Sequence, residues 1–345
     1  MSKYNVAIVG ATGYTGSELV RILINHPDVN ITAITSESRK GELFSDVHPQ
    51  FKDIFDLTLV GIDDLEEEGL DLVFLALPHG VSMDFVKDNH HKSFKIVDLS
   101  GDFRLSSKAV YEAWYQKDHH FEQGFDQAVF GLPELYRKRI REARLVANPG
   151  CFPTSAILAL APLMKEGIID RNQITVDSKT GVTGAGIKSK PNTHFPMVND
   201  NFSAYGVKSH RHTIEIQEIV GKYANSEATV LFTPHLLPVD RGILSTTYTK
   251  PTREISTPEL EKIFREYYEN EPYVRLRSDL PNLKQVRGTN YCDIFTTYDD
   301  RTNTIITISV IDNLVKGAAG QAVQNMNIML GLDETSGLHI SPLQP

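Results

Sequence analysis

The segment Asn5-Val6-Ala7-Ile8-Val9-Gly10-Ala11-Thr12-Gly13-Tyr14-Thr15-Gly16 decides the fold. Its first half is a short apolar run of β-forming residues. Its second half is a glycine turn with G-x-x-G-x-x-G spacing. Leu19, Val20, Leu23 and Ile24 follow at helical spacing, so a strand, a glycine turn and an amphipathic helix succeed one another. Glycines at that junction allow a tight turn and bring backbone N–H groups close to a pyrophosphate at a helix N-terminus. In this setting the motif predicts a dinucleotide site at Gly10, Thr12, Gly13, Tyr14, Thr15 and Gly16.

Outward from the motif, strand and helix signals keep alternating. Val29 to Thr35, Leu72 to Leu77 and Lys95 to Leu99 read as further strands, which predicts a parallel sheet covered on both faces by helices. The second strand runs into Thr35-Ser36-Glu37-Ser38-Arg39-Lys40. Hydroxyls on Ser36 and Ser38 with cations on Arg39 and Lys40 suit a ribose 2′-phosphate, so NADP(H) is expected rather than NAD. Glu37 is the dissenting residue, and its carboxylate is expected to point to solvent.

Past residue 150 the texture changes. Thr154 to Lys165 reads as an apolar helix with Pro162 inside it. Ile174 to Lys179, Ala228 to Thr233, Gly242 to Thr249, Asp293 to Tyr298 and Thr304 to Ile311 are β-rich with fewer helices between them. The expected architecture is α/β: a Rossmann-type doubly wound parallel sheet, then a second α+β domain with a mixed sheet.

The charge balance is -9, with 35 Lys and Arg against 44 Asp and Glu. That argues against nucleic acid or an anionic membrane as the main partner. Met1 to Tyr4 leads directly into the first apolar run, and the longest apolar stretch, Leu70 to Leu77, is far too short to span a bilayer. A cytoplasmic, reducing location is expected, because the two cysteines, Cys151 and Cys292, form no disulfide framework.

Cys151 lies in Ala147-Asn148-Pro149-Gly150-Cys151-Phe152-Pro153-Thr154, ahead of the apolar helix. A thiol at a helix N-terminus is favoured as thiolate by the helix dipole. Buried cysteines are usually inert, and Cys292, in a strand-like setting, reads that way. The turn, the helix start and the nucleotide motif upstream favour Cys151 as a nucleophile. Its proton partner is sought in Ser209-His210-Arg211-His212-Thr213, at the start of another helix. No Cys or carboxylate completes a ligand set around these histidines, so no metal is expected.

The whole chain resembles the N-acetyl-gamma-glutamyl-phosphate reductase family, within the aspartate-semialdehyde dehydrogenase-like group. The matching segments are Gly10 to Gly16, Asp98-Leu99-Ser100-Gly101-Asp102-Phe103-Arg104, Asn148 to Thr154, His210-Arg211-His212-Thr213, Thr233 to Pro238 with Arg241-Gly242-Ile243, and Asp312 to Gln321. The resemblance implies a second domain like that of glyceraldehyde-3-phosphate dehydrogenase. It implies Cys151 as nucleophile and His210 as general acid/base, with His212 in reserve. Arg104 would meet the substrate phosphate, with Asn148 also on the substrate side, and Asn313 would approach the nicotinamide. The nucleotide domain would comprise residues 1–150 and 313–345, the catalytic and oligomerisation domain residues 151–312, and the assembly would be a homodimer or homotetramer.

By this resemblance the activity is reversible NADPH-dependent reduction of N-acetyl-glutamyl 5-phosphate to the semialdehyde and phosphate, in arginine biosynthesis. A related reductase acting on aspartyl phosphate or a carrier-linked aminoadipyl phosphate is the alternative. A short-chain dehydrogenase is disfavoured, since none of the 13 tyrosines has Lys four residues later. An NADP-sensing regulator with a redox-active Cys151 is the non-catalytic rival.

Overall fold

A computed structural model describes residues 3–343. The chain divides into two compact units. Residues up to Pro149 and Ala318–His339 form the first, and Gly150–Gly317 with Ile340 onward form the second.

The first unit holds a six-stranded sheet: β1 (Tyr4–Val9), β2 (Val29–Thr35), β3 (Leu72–Leu75), β4 (Lys95–Asp98), β5 (Ala128–Phe130) and β6 (Leu145–Ala147). Every pairing is parallel, in the order β2-β1-β3-β4-β6-β5. Val6 to Val9 and Leu72 to Leu75 are fully buried, as expected of strands covered on both faces. Helix Tyr14–Leu23 packs its Leu19, Val20, Ile22 and Leu23 inward. Helix Gly320–Leu330 returns from the C-terminal region to pack on helices Pro133–Glu142 and Tyr14–Leu23. His26 fastens that return: its Nε2 lies 3.0 Å from Asn327 Oδ1, and its Nδ1 accepts from the Asp28 N–H at 3.2 Å.

The second unit holds a seven-stranded mixed sheet: β7 (Ile174–Thr180), β8 (Ser203–Ala204), β9 (Val230–Leu236), β10 (Ile243–Thr249), β11 (Val274–Leu276), β12 (Cys292–Asp299) and β13 (Thr304–Ile311). The order is β11-β12-β13-β10-β7-β9-β8. β7 with β9 and β11 with β12 are parallel, and the other neighbours are antiparallel. Helix Cys151–Glu166 lies on one face, over a row of serines: Ser155 Oγ is 2.7 Å from Ser309 Oγ, and Ser178 Oγ 2.7 Å from Ser245 Oγ. Buried hydroxyls paired in this way satisfy one another.

Two boundaries differ from the sequence expectation. The apolar helix starts at Cys151, not Thr154, because Pro153 falls in the first turn, where no intrahelical N–H bond is lost. The stretch 313–317 belongs to the second unit, and the chain passes back into the first through a π-helical turn, Val315–Ala319. The Gly317 N–H bonds to Asp312 O at 3.0 Å, and the Asp312 carboxylate accepts from the N–H groups of Leu314 and Val315. No helix among the described residues is long and apolar enough to cross a membrane.

Candidate active site

The glycine loop of the first unit has the geometry of an anion cradle. Gly10 has φ +88°, and a Cβ there would stand 2.6 Å from Ala76 O. A Cβ on Gly16 would stand 2.4 Å from Gly10 O, so both positions exclude side chains. A Cβ on Gly13 would meet nothing within 4 Å, which leaves its approach open. Gly13 is the N-cap of helix Tyr14–Leu23, and no side chain caps that helix. Its first N–H groups therefore present a positive end to a ligand. The residues fit a dinucleotide pyrophosphate.

The loop is braced from two sides. Gly10 N–H donates to Thr35 Oγ1 at 3.3 Å, and Thr12 Oγ1 lies 3.1 Å from Ser36 Oγ. His48 donates from Nε2 to Thr12 O at 3.2 Å. Burial beside Phe44 and Phe51 pushes the His48 pKa down, so the ring stays a neutral donor. His48 is a brace the sequence reading missed; its ring is brought to the loop only by tertiary packing. Tyr14 and Thr15 open the helix, with Tyr14 exposed. At the end of β2, Ser36 is buried, while Ser38, Arg39 and Lys40 are exposed. Glu37 is exposed, and its carboxylate also accepts from the Ile62 N–H at 2.7 Å.

Arg104 and Asn148 form a brace at the carboxyl ends of β4 and β6. Arg104, 6% exposed, donates from Nε to Asn148 O and from Nη2 to Leu99 O, both at 2.7 Å. The Asn148 amide donates to Ala318 O at 3.1 Å and accepts from Asn325 Nδ2 at 3.0 Å. Both side chains, expected at the substrate, are engaged within the first unit by these bonds.

In the second unit, Cys151 is the first residue of its helix and is partly exposed. Gly150 precedes it as N-cap, and both the N–H and the hydroxyl of Thr154 return to Gly150 O. Helix His212–Tyr223 presents two side chains to this turn. The fully buried Glu215 accepts from the Gly150 N–H at 2.8 Å. A Cβ on Gly150 would stand 2.5 Å from His212 Nε2, so that ring lies directly on the residue before the cysteine. A Cβ on Gly317 would approach Cys151 Cβ to 2.8 Å, so the thiol-bearing residue is packed on that side too.

His210 is placed differently. It sits among Phe152, Tyr205, His212 and Phe232, ring to ring, and its Nδ1 accepts from the His212 backbone N–H at 3.2 Å. Burial, reinforced by the Arg211 charge, lowers its pKa from 6.5 to about 4. Burial and the charge of Cys151 raise the Tyr205 pKa. Asn313 is 2% exposed, accepts from the Gly242 N–H at 2.8 Å and donates to Thr183 Oγ1 at 3.0 Å. Its amide thus fastens two turns of the second unit. No group of three His, Cys, Asp or Glu side chains suited to a metal ion occurs among the described residues.

Residues 5–143 match the NAD-binding domain of semialdehyde dehydrogenases, and residues 151–313 their dimerisation domain. An N-acetyl-gamma-glutamyl-phosphate reductase of Pelotomaculum thermopropionicum is 50% identical over 344 residues, covering 99% of both chains. One from Methanocaldococcus jannaschii is 49% identical over 344 residues, again covering 99% of both. The chain belongs to the N-acetyl-gamma-glutamyl-phosphate reductase family. Solved aspartate semialdehyde dehydrogenases share the fold of this reductase family. The Vibrio cholerae enzyme II complexed with ASA aligns with TM-score 0.74 at 17% identity, over 96% of this chain and 99% of that one. The Candida albicans enzyme with NADP aligns with TM-score 0.73 at 17% identity, over 95% and 99%.

Proposed function

We propose that this protein reduces N-acetyl-glutamyl 5-phosphate to N-acetyl-glutamate 5-semialdehyde and phosphate with NADPH, reversibly, in arginine biosynthesis. The observation that carries the reading is the turn at Gly150-Cys151, a thiol at a helix N-terminus with His212 Nε2 lying on the adjoining glycine. Identity of 49–50% over 99% of both chains to relatives that bear this name supports the substrate.

The Cys151 thiolate attacks the acyl carbon, a C–S bond forms, and the C–O bond to phosphate breaks. NADPH supplies the hydride. A thioester accepts hydride far more readily than a carboxylate. Backbone N–H groups at the start of helix Cys151–Glu166 hold the oxyanion in both tetrahedral states. His212 gives a proton to that oxygen as hydride arrives and takes it back as the C–S bond breaks and the aldehyde leaves. His212 is preferred to His210 for this work. A base with pKa about 4 holds little proton near neutrality, and the His210 ring is enclosed by aromatic neighbours. Arg104 supplies buried positive charge at the carboxyl ends of β4 and β6, where the phosphate end of the substrate is expected. Asn148 holds that arginine in place, and Asn313 fastens the turns at Gly242 and Thr183 within the second unit.

A homo-oligomer built through the second unit is part of the proposal. It is supported by the dimerisation-domain match and by Leu231 and Tyr248, exposed on the sheet. The deciding assay oxidises N-acetylglutamate semialdehyde and aspartate semialdehyde in parallel, with NADP and phosphate. Preference for the aspartyl compound would overturn the substrate, and phosphate-independent behaviour would overturn the reaction class.

A further inference from the structure

Asp102 is fully buried, and three donors from two separate stretches, 80–83 and Tyr111, converge on its carboxylate. Gly80 N–H reaches both oxygens at 2.8 and 3.0 Å, Met83 N–H reaches Oδ2 at 3.1 Å, and the Tyr111 hydroxyl donates to Oδ1 at 2.9 Å. Met83 belongs to the first turn of helix Ser82–Asn89, so Asp102 caps a helix it is not part of. The same turn is held again by Gly101 N–H donating to His79 Nδ1 at 2.7 Å, and by Lys117 Nζ donating to His79 O at 2.7 Å.

What these contacts fix is the irregular link from Ala76 to Val81, which includes Gly80 at φ +84°. That link follows β3 as the glycine loop follows β1. The sheet order β2-β1-β3 reverses direction between those two strands, and in open α/β sheets the ligand binds outside the carboxyl ends at such a reversal. The two loops touch, since Ala76 O stands 2.6 Å from the Cβ position of Gly10. A second buried carboxyl, Asp98, is held by the N–H and hydroxyl of Ser100. Burying the Asp102 carboxylate to hold these donors is a costly device for closing an ordinary turn.

We propose that Asp102 is a positioning residue for the nicotinamide nucleotide, preforming one wall of its site by locking the Ala76–Val81 link against the glycine loop. The proposal rests on the reading of the first unit as the NADPH site. A ligand that meets a preformed wall avoids the entropy of ordering it on binding.

The test uses full-length protein carrying Asp102→Asn, Tyr111→Phe or Asp98→Asn. NADPH affinity is measured by nucleotide fluorescence, Cys151 reactivity by the rate of iodoacetamide alkylation without nucleotide, and folding by circular dichroism. Asn at 102 turns an NH₂ toward N–H donors, so Kd and KM for NADPH should rise ~10-fold, with kcat at saturating NADPH retained. Tyr111→Phe removes one donor and should raise Kd ~3-fold. Asp98→Asn leaves the three donors of Asp102 untouched and should change Kd less than ~2-fold. Alkylation rates should be unchanged throughout. A folded Asp102→Asn variant with wild-type Kd overturns the proposal, as does a fall in kcat with KM unmoved. If Asp102→Asn does not fold, Tyr111→Phe decides alone, and wild-type Kd there overturns it. Wild-type protein that binds no nicotinamide nucleotide overturns the cofactor reading itself, and this is seen before any variant is compared.

Discussion

His212 Nε2 occupies space that a Cβ on Gly150 would share, at 2.5 Å. Gly150 has φ -65° and ψ 154°, a conformation open to any residue, so the glycine is required by the neighbouring ring and not by the backbone. Gly150→Ala should therefore push His212 off the cysteine turn and cost ~1–3 kcal/mol of stability. We expect kcat/KM to fall at least ~100-fold, in the range of a lost general acid/base. Combining it with His212→Ala should recover most of the lost stability but none of the activity, as read by thermal melts and steady-state rates. Full additivity of the two stability changes would show that the ring and the glycine do not interact.

His210 carries a pH dependence of stability. With its folded pKa depressed from 6.5 to about 4, His210 binds its proton more weakly folded than unfolded. Its contribution to stability is complete above pH 6.5 and is lost as pH falls through 4, to a total of about 3 kcal/mol. His210→Gln should flatten acid unfolding between those values while keeping measurable activity. His212→Asn should instead abolish turnover. Urea unfolding from pH 4 to 7, beside kcat/KM for each variant, distinguishes the two.

These cases mark what the sequence can and cannot carry. β1, the glycine turn and the following helix were legible because an apolar run, a turn chemistry and a helical period coincide there. β5 and β6, three residues each, were not, since three residues carry no period. The Cys151 turn was legible, but Pro153 read as part of a loop although a helix tolerates proline in its first turn. Histidines two apart point different ways from a helix start, and only the rings around them settle which meets Gly150. The sequence motif containing Asp102 and Arg104 stood out as a block. Its roles as cap and brace depend on Gly80, Met83, Tyr111 and Asn148, which only the fold brings near.

The carboxyl pair yields a stability prediction of opposite sign. Burial, with the charge of Asp102 adding to it, raises the Asp98 pKa from 3.8 to about 6. A raised carboxyl pKa means the folded state binds the proton more tightly. Stability from this group is therefore present below pH 3.8 and lost as pH rises through 6. Asp98→Asn should relieve that loss, stabilising the protein by on the order of 1 kcal/mol at pH 7 and by nothing at pH 3.5. Chemical denaturation at the two pH values measures the difference, and an equal effect at both would show that Asp98 does not titrate in this range.

Cofactor choice should rest on the end of β2. Arg39 lies 3.4 Å from Glu42, and Lys40 pairs with Asp64, all four exposed or nearly so. Surface pairs of this kind contribute ~0–1 kcal/mol, so both cations can turn to a 2′-phosphate at little cost. Glu37, the one residue suited to a free 2′-hydroxyl, is held by the Ile62 N–H. Arg39→Ala with Lys40→Ala should raise KM for NADPH ~10-fold or more, leave the weaker use of NADH within ~2-fold, and change the melting temperature little. Glu37→Ala alone should not improve NADPH use. The ratio of kcat/KM for the two cofactors reads the outcome directly. An unchanged ratio in the double variant would move 2′-phosphate recognition to Ser36 and Ser38.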